Sequence, residues 1–436
     1  MIWFVQQAFK LRESHNGPTY YTDSTMSQHA ILSAGKKAWR SLACARSELR
    51  LDLTLGCGQT FRWRETGESH WTGIMGGRVW TLTQTDEALW YHTYTIPGHA
   101  GGEEGGRKRK VALPAPGSSK SGKRLKGEAT EVKKEEQDSV PVTPDQDSHE
   151  EEMLRDYFQL KVKLGDLYRE WGVADPHFKH ISNIFTGVRM LRQDPTECLF
   201  SFICTSNNHI SRIQGMVERL CQSLGTPLCQ LDQTTYHDFP SLQALSDSSV
   251  EACLRDLGFG YRARYLQQSA QQILHTHGPQ WLESLRRAPY VQARDALRTL
   301  PGVGLKVADC VCLMSLDKAC AVPVDTHVWQ IAKRDYNCAA GSGQKSLTDK
   351  VHRDIGDFFR QLWGPYAGWA HSVLFCADLK KFQKLKEVPF LKQEDEEVKV
   401  KTKMKRSDIG KNKKTRINCD RKVKNKILVK KEEADK

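Results

Sequence analysis

The residues best suited to chemistry surround a short glycine-rich segment, Pro301-Gly302-Val303-Gly304, between two stretches with helical periodicity. Glycine tolerates positive φ and leaves the backbone uncovered, so the N–H groups that begin the second helix can face outward. Such groups bind anions, and a phosphate diester fits them without any side chain. An ordinary tight turn between two core helices accounts for the same four residues equally well.

Lys306 lies just inside the second helix, and Cys310 follows one turn later on the same face. A lysine amine attacks carbon only in its neutral form, which burial or a cationic neighbour favours. Val307 and Val311 form an apolar stripe beside Lys306 that could supply this burial. A lysine beside such a stripe is also commonly a surface residue that extends its ammonium group into water.

Asp325 follows Pro323 and precedes a third helical stretch, residues 326–335. This is the position of an N-cap, where backbone N–H groups hold a carboxylate ionised and in a fixed direction. We predict that Asp325 caps this helix. A carboxylate held in this way can also stabilise positive charge that develops in a reaction, so the two roles are compatible.

The elements that position these residues fall into two regions. Apolar residues alternate from Leu49 to Leu55, and β-branched and aromatic runs continue to residue 95, a pattern typical of a small antiparallel sheet. From residue 153 to 390, stretches with helical periodicity alternate with Gly, Pro and Asp. The sequence thus predicts an α+β protein with a β domain over 46–152 and a mostly helical domain over 153–390, which contains the helix-hairpin-helix at 290–316.

Three further segments are predicted to be poorly ordered. Residues 98–152 and 391–436 contain no Phe, Tyr or Trp, so neither can bury enough apolar surface to offset its ordering entropy. We interpret them as a disordered insert in the β domain and a disordered basic tail. Residues 1–45 are predicted to be poorly ordered as well, and the absence of acidic residues between 28 and 46 is typical of a mitochondrial targeting segment.

The composition limits the classes of protein. The 436 residues carry a net charge of +13. A basic surface of this kind can bind a polyanion such as nucleic acid, but it can equally be a surface that only contacts water. No apolar run approaches the roughly 18 residues of a transmembrane helix. The 13 cysteines are scattered and no signal peptide precedes them, so we expect reduced thiols in a nucleus, cytosol or mitochondrial matrix.

The hairpin, Lys306 and Asp325 together resemble the helix-hairpin-helix superfamily of DNA base-excision glycosylases. More locally, the chain is similar to the eukaryotic 8-oxoguanine DNA glycosylase/lyase family over residues 46–97 and 153–382. So many separate matches in the same order are far more specific than one hairpin. The matching stretches are Leu49–Leu53, Gly58–Trp63, Asn207-Asn208, Gly215–Cys221, Gly260–Tyr265, Leu300–Cys310, Val322–His327 and Trp363–Ala370.

The resemblance implies a bifunctional enzyme that removes 8-oxoguanine paired with cytosine. The target nucleotide leaves the duplex, and the amine of Lys306 attacks its anomeric carbon and forms a Schiff base. Asp325 stabilises the positive charge of the sugar. The Schiff base then permits β-elimination of the 3′ phosphate, which is a lyase activity on abasic sites. This chemistry needs no metal or other cofactor.

The resemblance also implies the residues of the base pocket. The backbone carbonyl of Gly58 accepts a hydrogen bond from the ring N–H that 8-oxoguanine has and guanine lacks, so discrimination depends on one hydrogen bond. Cys310 and Phe375 contact the two faces of the base. Outside this family, Gly58 would be interpreted as a turn residue and the other two as core residues.

A second group of residues is implied to bind DNA around the lesion. Asn207, Arg212 and Arg262 hold the unpaired cytosine, to whose edge such side chains can present paired donors. Tyr261 is the wedge that fills the gap in the base stack. His327 contacts a phosphate beside the lesion, and Asp378 orients His327. The hairpin glycines Gly302 and Gly304 complete the group.

The chain departs from the family at His371, where glutamine is usual, and at His209, where a third asparagine would be typical. Neutral histidine offers one donor and one acceptor on a rigid ring, whereas cationic histidine offers only donors. If His371 must accept a hydrogen bond from the base, excision should weaken at acidic pH, which a comparison with His371→Gln tests.

The family's iron–sulfur relatives carry four closely spaced cysteines near the C-terminus. Here only Cys376 and Cys419 lie beyond residue 340, so no cluster is expected, and Cys310-Val311-Cys312 lacks a second pair at zinc-ligand spacing. We expect a monomer that acts on double-stranded DNA containing oxidised guanine, without a membrane. Arg107-Lys108-Arg109-Lys110 predicts a nuclear location, with a mitochondrial one also open.

Two other functions remain open from the sequence. One is a monofunctional glycosylase for adenine or an alkylated purine, which typically lacks the lysine. The other is a non-catalytic DNA-binding module that uses only the hairpin. Such a module would not need Lys306, Asp325 and Cys310 together, and it would bind DNA without cleaving it.

Overall fold

The computed structural model describes residues 39–94 and 144–386 apart from Ser342. Over these residues the predicted α+β architecture is confirmed. Most of the insert, the basic tail and most of the N-terminal segment lie outside the described residues, so their predicted disorder stays a prediction. Among the described residues, no helix has both the length and the apolar character needed to cross a bilayer.

The N-terminal sheet has five antiparallel strands in the order β1-β5-β4-β3-β2. Residues Val79–Gln84 of β4 pair with Leu89–Tyr94 of β5, so this hairpin forms the middle of the sheet. Two buried tryptophans, Trp63 and Trp80, pack in one core with Leu154, from the helix that begins at residue 144, and with Phe158 just after that helix. The strands are β1 (Arg40–Ala43), β2 (Trp63–Gly67), β3 (His70–Met75), β4 (Arg78–Gln84) and β5 (Ala88–Tyr94).

The remaining described residues form the helical domain around a second and larger core. The helix α2 (Pro144–Tyr157) precedes this domain and packs in the core of the sheet. The helices of the domain are α3 (Leu164–Ala174), α4 (Pro176–Ser182), α5 (Pro195–Ile203), α6 (Ile210–Leu224), α7 (Leu242–Ser246), α8 (Val250–Asp256), α9 (Arg262–Gln272), α10 (Trp281–Ser284), α11 (Tyr290–Leu297), α12 (Leu305–Ser315), α13 (Thr326–Tyr336), α14 (Asp349–Trp363) and α15 (Ala367–Asp378). The hairpin β6 (Pro227–Leu231) and β7 (Thr234–His237) interrupts this domain and was not predicted.

The strand predicted at Leu49–Leu55 is wrong, because Leu51–Thr54 forms a short helix, α1. Leu51 and Leu55 pack in the core of the sheet, whereas Leu53 packs in the helical core. Leucines at alternate positions are therefore buried on two sides of a segment that lies between two cores. This arrangement produces the period of two that a half-buried strand also has.

Two predicted boundaries are also wrong. Arg40–Ala43, within the segment predicted to be poorly ordered, pairs with β5 as an edge strand of the sheet. Residues 144–152, the end of the predicted disordered insert, belong to α2. The lack of aromatic residues was misleading there, because residues 144–152 are joined to the sheet by a buried carboxylate, Glu150, whereas the apolar and aromatic contacts of α2 come from its second half, at Leu154 and Tyr157.

Hydrogen bonds join the segment 48–59 to the segment 187–193 and so fix the β domain against the helical domain. The buried guanidinium of Arg189 donates to the Glu48 carbonyl and carboxylate, each at 2.7 Å, and to the Gln159 carbonyl at 2.6 Å. The Gln59 side chain donates to the Arg189 carbonyl at 2.9 Å and accepts from the Leu191 N–H at 3.0 Å. Buried polar groups that are satisfied in this way specify one relative position of the two segments.

Glu150 allows a test of how α2 is held. Its carboxylate, 1% exposed, accepts from Arg78 and Thr93 at 2.9 Å and also pairs with Arg40. We expect Glu150→Ala to lower the free energy of unfolding by about 3 kcal/mol, because removing one partner of a buried ion pair leaves the others uncompensated.

Urea denaturation measures this loss, and the neighbouring Glu151→Ala is the matched control. Glu151 pairs with Arg155 on the helix surface, so its loss should cost about 0.5 kcal/mol or less. Equal effects of the two substitutions would contradict the role assigned to Glu150.

Candidate active site

The helix-hairpin-helix predicted at residues 290–316 is present as α11, a turn and α12. Gly302 has a φ of +79°, and a Cβ atom there would lie 2.6 Å from the Tyr265 ring. Only glycine therefore fits this turn without displacing the ring. Gly304 is the N-cap of α12 and makes no side-chain capping bond, so the first N–H groups of α12 have no side-chain partner at the cap position. They are suited to a phosphate.

Six of the residues proposed for catalysis or base binding line one cavity between α12, α15 and the turn at residues 57–59. The cavity measures about 60 Å³, well below the roughly 300 Å³ at which ligand pockets begin. Its walls must therefore separate before a base can enter. The six residues are Gly58, Lys306, Cys310, Asp325, His371 and Phe375.

Lys306 is half-buried, and its environment includes a residue that the sequence did not indicate. Its Nζ atom donates a hydrogen bond to Thr205 Oγ1 at 3.0 Å and lies 5.2 Å from the centre of the Phe202 ring. Thr205 lies two residues beyond the end of α5, which packs against α12. A single threonine after a helix has no distinctive sequence pattern, so only the tertiary structure could have shown this contact.

Asp325 caps α13 as predicted, since its Oδ1 accepts from the Val328 N–H at 2.9 Å. The same carboxylate lines the cavity with Lys306. Cys310 is buried beside Lys306 and Asp325. Burial raises the pKa of Cys310 to about 11, and the opposing effect of the Lys306 charge is smaller. The Cys310 thiol is therefore neutral at physiological pH and contributes an uncharged, polarizable surface to the cavity.

His371 is 6% exposed, and neither of its ring nitrogens makes a hydrogen bond of good geometry in the protein, although the Gly368 backbone lies close enough to act on the ring. Burial lowers its pKa to about 4, although the Asp325 carboxylate acts in the opposite direction. The ring is thus neutral over the physiological range, with one donor and one acceptor available. Unpaired polar atoms cost free energy in a buried site, so a ligand that pairs with them gains affinity. If excision requires a neutral His371, the loss of excision expected at acidic pH should therefore occur only near pH 4.

A second cluster contains the residues implied to hold the opposite strand. Asn207 is exposed in the loop after α5 with a φ of +48°, and Tyr261 is 44% exposed beside it. The buried guanidinium of Arg262 donates to the carbonyls of Ser206 and Asn207 and lies 4.6 Å from the Tyr261 ring. Arg262 therefore holds the backbone of this loop, a contact that the sequence did not predict. Arg212 is exposed in the first turn of α6.

His327 and Asp378, predicted as partners, lie together at the other side of the cavity. His327 Nδ1 is 3.8 Å from Asp378 Oδ2, and the His327 ring meets the Phe375 ring edge-on at 6.3 Å. Asp378 also accepts from Arg334 at 3.0 Å. The exposed imidazole is thereby positioned next to the pocket wall, where an anionic ligand can reach it.

No three His, Cys, Asp or Glu side chains come together as a metal ion requires within residues 39–94 and 144–386. The cysteines of these residues are all free thiols. The cavity is lined by one amine, one carboxylate and one imidazole, together with a carboxamide, a hydroxyl, two thiols and apolar groups. This set is suited to nucleophilic attack with electrostatic stabilisation of a cation, and none of these groups requires a metal for that chemistry.

Fold and site together define a helix-hairpin-helix base-excision DNA repair protein. The family model of the HhH-GPD superfamily of base excision DNA repair proteins matches residues 200–355, and the model of the N-terminal domain of 8-oxoguanine DNA glycosylase matches residues 41–199. An N-glycosylase/DNA lyase of Arabidopsis thaliana is 37% identical over 351 residues, which cover 79% of this chain and 81% of the relative. The chain therefore belongs to the 8-oxoguanine DNA glycosylase family of N-glycosylase/DNA lyases.

Two further comparisons agree with this assignment. The N-glycosylase/DNA lyase of Saccharomyces cerevisiae is 41% identical over 249 residues, which cover 52% of this chain and 66% of the relative. An 8-oxoguanine glycosylase/lyase of Clostridium acetobutylicum, solved with double-stranded DNA containing cytosine opposite 8-oxoguanine, has a TM-score of 0.56 and 24% identity, covering 76% of this chain and 91% of that one. At this identity the likeness shows a shared fold.

The buried histidine predicts a pH-dependent stability. The His371 pKa falls from 6.5 in the unfolded chain to about 4 in the folded protein. Below pH 6.5 the unfolded chain therefore binds a proton that the folded protein excludes, and stability decreases as the pH falls towards 4. Between pH 6.5 and pH 4 we expect this residue to lower the unfolding free energy of the wild type by about 3 kcal/mol. The His371→Gln variant lacks the titrating ring, so this contribution to its pH dependence should be absent. Urea denaturation of both proteins between these pH values measures the difference, and parallel curves would contradict it.

Proposed function

We propose that this protein removes 8-oxoguanine paired with cytosine from double-stranded DNA and then cleaves the strand through a Schiff base on Lys306. The observation that supports this most directly is the single cavity in which an amine, a capping carboxylate and an unpaired imidazole lie together. The family membership supports glycosylase and lyase activities. The residues that line the cavity support the choice of 8-oxoguanine as the base and of Lys306 as the nucleophile.

The reaction starts with a nucleotide that has left the duplex, because its anomeric carbon is inaccessible in the stack. The neutral amine of Lys306 attacks this carbon, and the bond to the base breaks as the bond to Nζ forms. The departing base takes the electron pair. Asp325, fixed by the Val328 N–H, stabilises the positive charge on the sugar. The Thr205 hydroxyl and the Phe202 ring hold the amine of Lys306 before attack.

Opening of the sugar ring with loss of a proton from Nζ gives the Schiff base. This group withdraws electrons from the adjacent carbon, so a proton is lost there and the 3′ phosphate leaves by β-elimination. Hydrolysis of the Schiff base returns Lys306 to its amine form. Each step uses groups present in the chain and water.

Recognition of the base combines stacking with a small number of hydrogen bonds. Cys310 and Phe375 line the cavity and are suited to contact the two faces of a purine. The neutral His371 ring offers one donor and one acceptor to the pairing edge of the base. The Gly58 carbonyl accepts from the ring N–H that distinguishes 8-oxoguanine from guanine, so guanine leaves this acceptor unpaired.

The surrounding residues are proposed to hold the DNA. The N-terminus of α12 after Gly304 binds a phosphate, and His327 binds another beside the lesion. Asn207, Arg212 and Arg262 hold the cytosine, and the exposed ring of Tyr261 fills the place that the base has left. We propose that the enzyme acts as a monomer, for which light scattering should give the mass of one chain.

We also propose that the enzyme works in the nucleus, because the chain contains Arg107-Lys108-Arg109-Lys110. Replacing these four residues by alanine should reduce the nuclear fraction of a fluorescently tagged protein, since clustered basic residues bind import receptors. An unchanged distribution would assign nuclear entry to another segment.

Lys306→Gln tests the covalent step. Wild-type protein incubated with duplex DNA carrying 8-oxoguanine opposite cytosine should form a borohydride-trapped adduct, which gel electrophoresis detects. Lys306→Gln should form none, because an amide cannot supply the amine. Lys333→Gln removes an exposed lysine of α13 and is the matched control, which should retain the adduct. An adduct that persists in Lys306→Gln would show that another amine is the nucleophile.

Gly58→Ala tests the recognition of the base. Gly58 has a φ of +84°, and a Cβ atom there would lie 2.9 Å from Ile210 Cδ1. The turn or the end of the Ile210 side chain must therefore shift. We expect the single-turnover excision rate to fall by about tenfold or more, which corresponds to about 1.4 kcal/mol of lost transition-state stabilisation. Gly343→Ala is a control for positive φ alone, since Gly343 has a φ of +80° and no atom near its Cβ position. Equal rates for both variants and wild type would exclude Gly58 from recognition.

A further inference from the structure

We propose that the loop after α5 couples recognition of the opposite base to the position of the nucleophile, so that cytosine accelerates the chemical step as well as DNA binding. This inference deepens the proposed function and rests on it. Three consecutive residues of the loop carry it, because Thr205 bonds to Lys306 while the carbonyls of Ser206 and Asn207 accept from Arg262. One short piece of backbone therefore joins the group proposed to attack the sugar to a group proposed to hold the cytosine.

The Thr205 hydroxyl fixes the direction of the Lys306 amine. It donates its own hydrogen to the Phe202 carbonyl at 2.7 Å and accepts from Lys306 Nζ at 3.0 Å. Because its hydrogen is already bonded, this hydroxyl can only accept from the amine. The lone pair of the neutral amine therefore points away from Thr205 and is left for attack. Thr205 is thus a positioning residue, which acts on the reaction through Lys306.

Arg262 holds the next two residues of the loop with three of its five N–H groups. Its Nε donates to the Ser206 carbonyl at 3.1 Å, and its Nη2 donates both to that carbonyl and to the Asn207 carbonyl, the latter at 3.3 Å. Among the described residues, the two N–H groups of Nη1 have no acceptor. A pair of donors of this kind suits the two acceptors on the pairing edge of cytosine. One guanidinium can therefore bond the cytosine and the loop at the same time.

The loop is closed at its ends, and its middle is held in a less favourable conformation. The Asn208 amide donates to the Cys204 carbonyl at 3.1 Å, so the residues between them move together. Asn207 has a φ of +48°, a left-handed conformation that costs free energy outside glycine. Arg262 bonds the carbonyls on both sides of the Asn207 Cα atom, which stabilises this conformation. Without those bonds the loop can relax, and Thr205 moves with it.

The opposite base then affects the reaction through a chain of contacts. Cytosine positions Arg262, Arg262 keeps the loop in its observed conformation, and Thr205 directs Lys306. Adenine presents a donor where cytosine presents an acceptor, so it repels one of the two N–H groups of Nη1. The guanidinium must then leave its place, and the loop loses the bonds that hold it. Two sites are coupled in this way when both bias one element with two conformations.

The test measures single-turnover excision at saturating enzyme from duplexes with 8-oxoguanine opposite cytosine and opposite adenine, so that differences in binding do not enter. Thr205→Val keeps the shape of the side chain and removes the acceptor. We expect it to lower the rate opposite cytosine by about tenfold and the rate opposite adenine by less than about twofold, because the bond to Lys306 is made only with cytosine. The preference for cytosine should therefore decrease, which a loss of folding alone would not produce.

Two further variants serve as controls. Thr205→Ser keeps the hydroxyl and should restore both the rate and the preference. Thr234→Val makes the same change at an exposed position of β7 and should behave like wild type.

A double variant tests the link from Arg262 to Thr205. Arg262→Lys keeps the charge and loses the fork that bonds the loop, so it should also slow excision opposite cytosine. If both residues act through one chain of contacts, the double variant should be no slower than the slower single variant. The comparison of Thr205→Val on the two duplexes needs no change at Arg262, so it decides the coupling even if Arg262→Lys folds poorly.

The proposal is overturned if Thr205→Val slows excision from both duplexes by the same factor, since Thr205 would then position the amine whatever the opposite base. It is equally overturned if neither rate changes, or if the losses in the double variant are additive. Failure of the wild type to excise 8-oxoguanine from either duplex, or a borohydride-trapped adduct that persists in Lys306→Gln, would instead reject the proposed function.

Discussion

The site depends first on the hydrogen bonds between segments 48–59 and 187–193, because they hold one wall of the cavity against the other two. Arg189 is almost completely buried, with a positive charge that costs several kcal/mol to desolvate unless it is paired. The Glu48 carboxylate and four backbone carbonyls surround its guanidinium. No other relative position of the two segments satisfies the same donors, so the β domain has one position on the helical domain.

The helix that bears Lys306 is fixed by a different set of buried polar groups. Asp309 on α12 accepts from Tyr290 of α11 at 2.7 Å and pairs with His352 of α14, also at 2.7 Å. These bonds hold α12 between the first helix of the hairpin and α14. Lys306 and Cys310 therefore project into the cavity from a helix that has little freedom to rotate. Preorganisation of this kind lets a reacting group act without reorganisation at the moment of attack.

The cavity combines this rigidity with polar groups that the protein leaves unpaired. Both nitrogens of His371 lack partners, and burial keeps the ring neutral. A buried histidine of this kind lowers the stability of the folded protein at acidic pH, whereas the satisfied networks around Arg189 and Asp309 contribute stability elsewhere. Such local destabilisation is expected where a ligand supplies the missing hydrogen bonds.

Local patterns in the sequence predicted much of this molecule. Periodicity and capping residues identified the hairpin, α12, α13 and the cap at Asp325, because these depend on residues a few positions apart. The family motifs identified the lining of the cavity. The alternating leucines at 49–55 misled because two cores bury one segment from both sides. Residues 144–152 misled because they contribute a buried carboxylate, whereas the aromatic and apolar contacts of α2 with the sheet come from Leu154 and Tyr157 further along the helix. The contact of Lys306 with Thr205 and the loop contacts of Arg262 were decided only by the tertiary structure. They join residues that lie far apart in the chain, and no local pattern records which distant side chains will share a buried space.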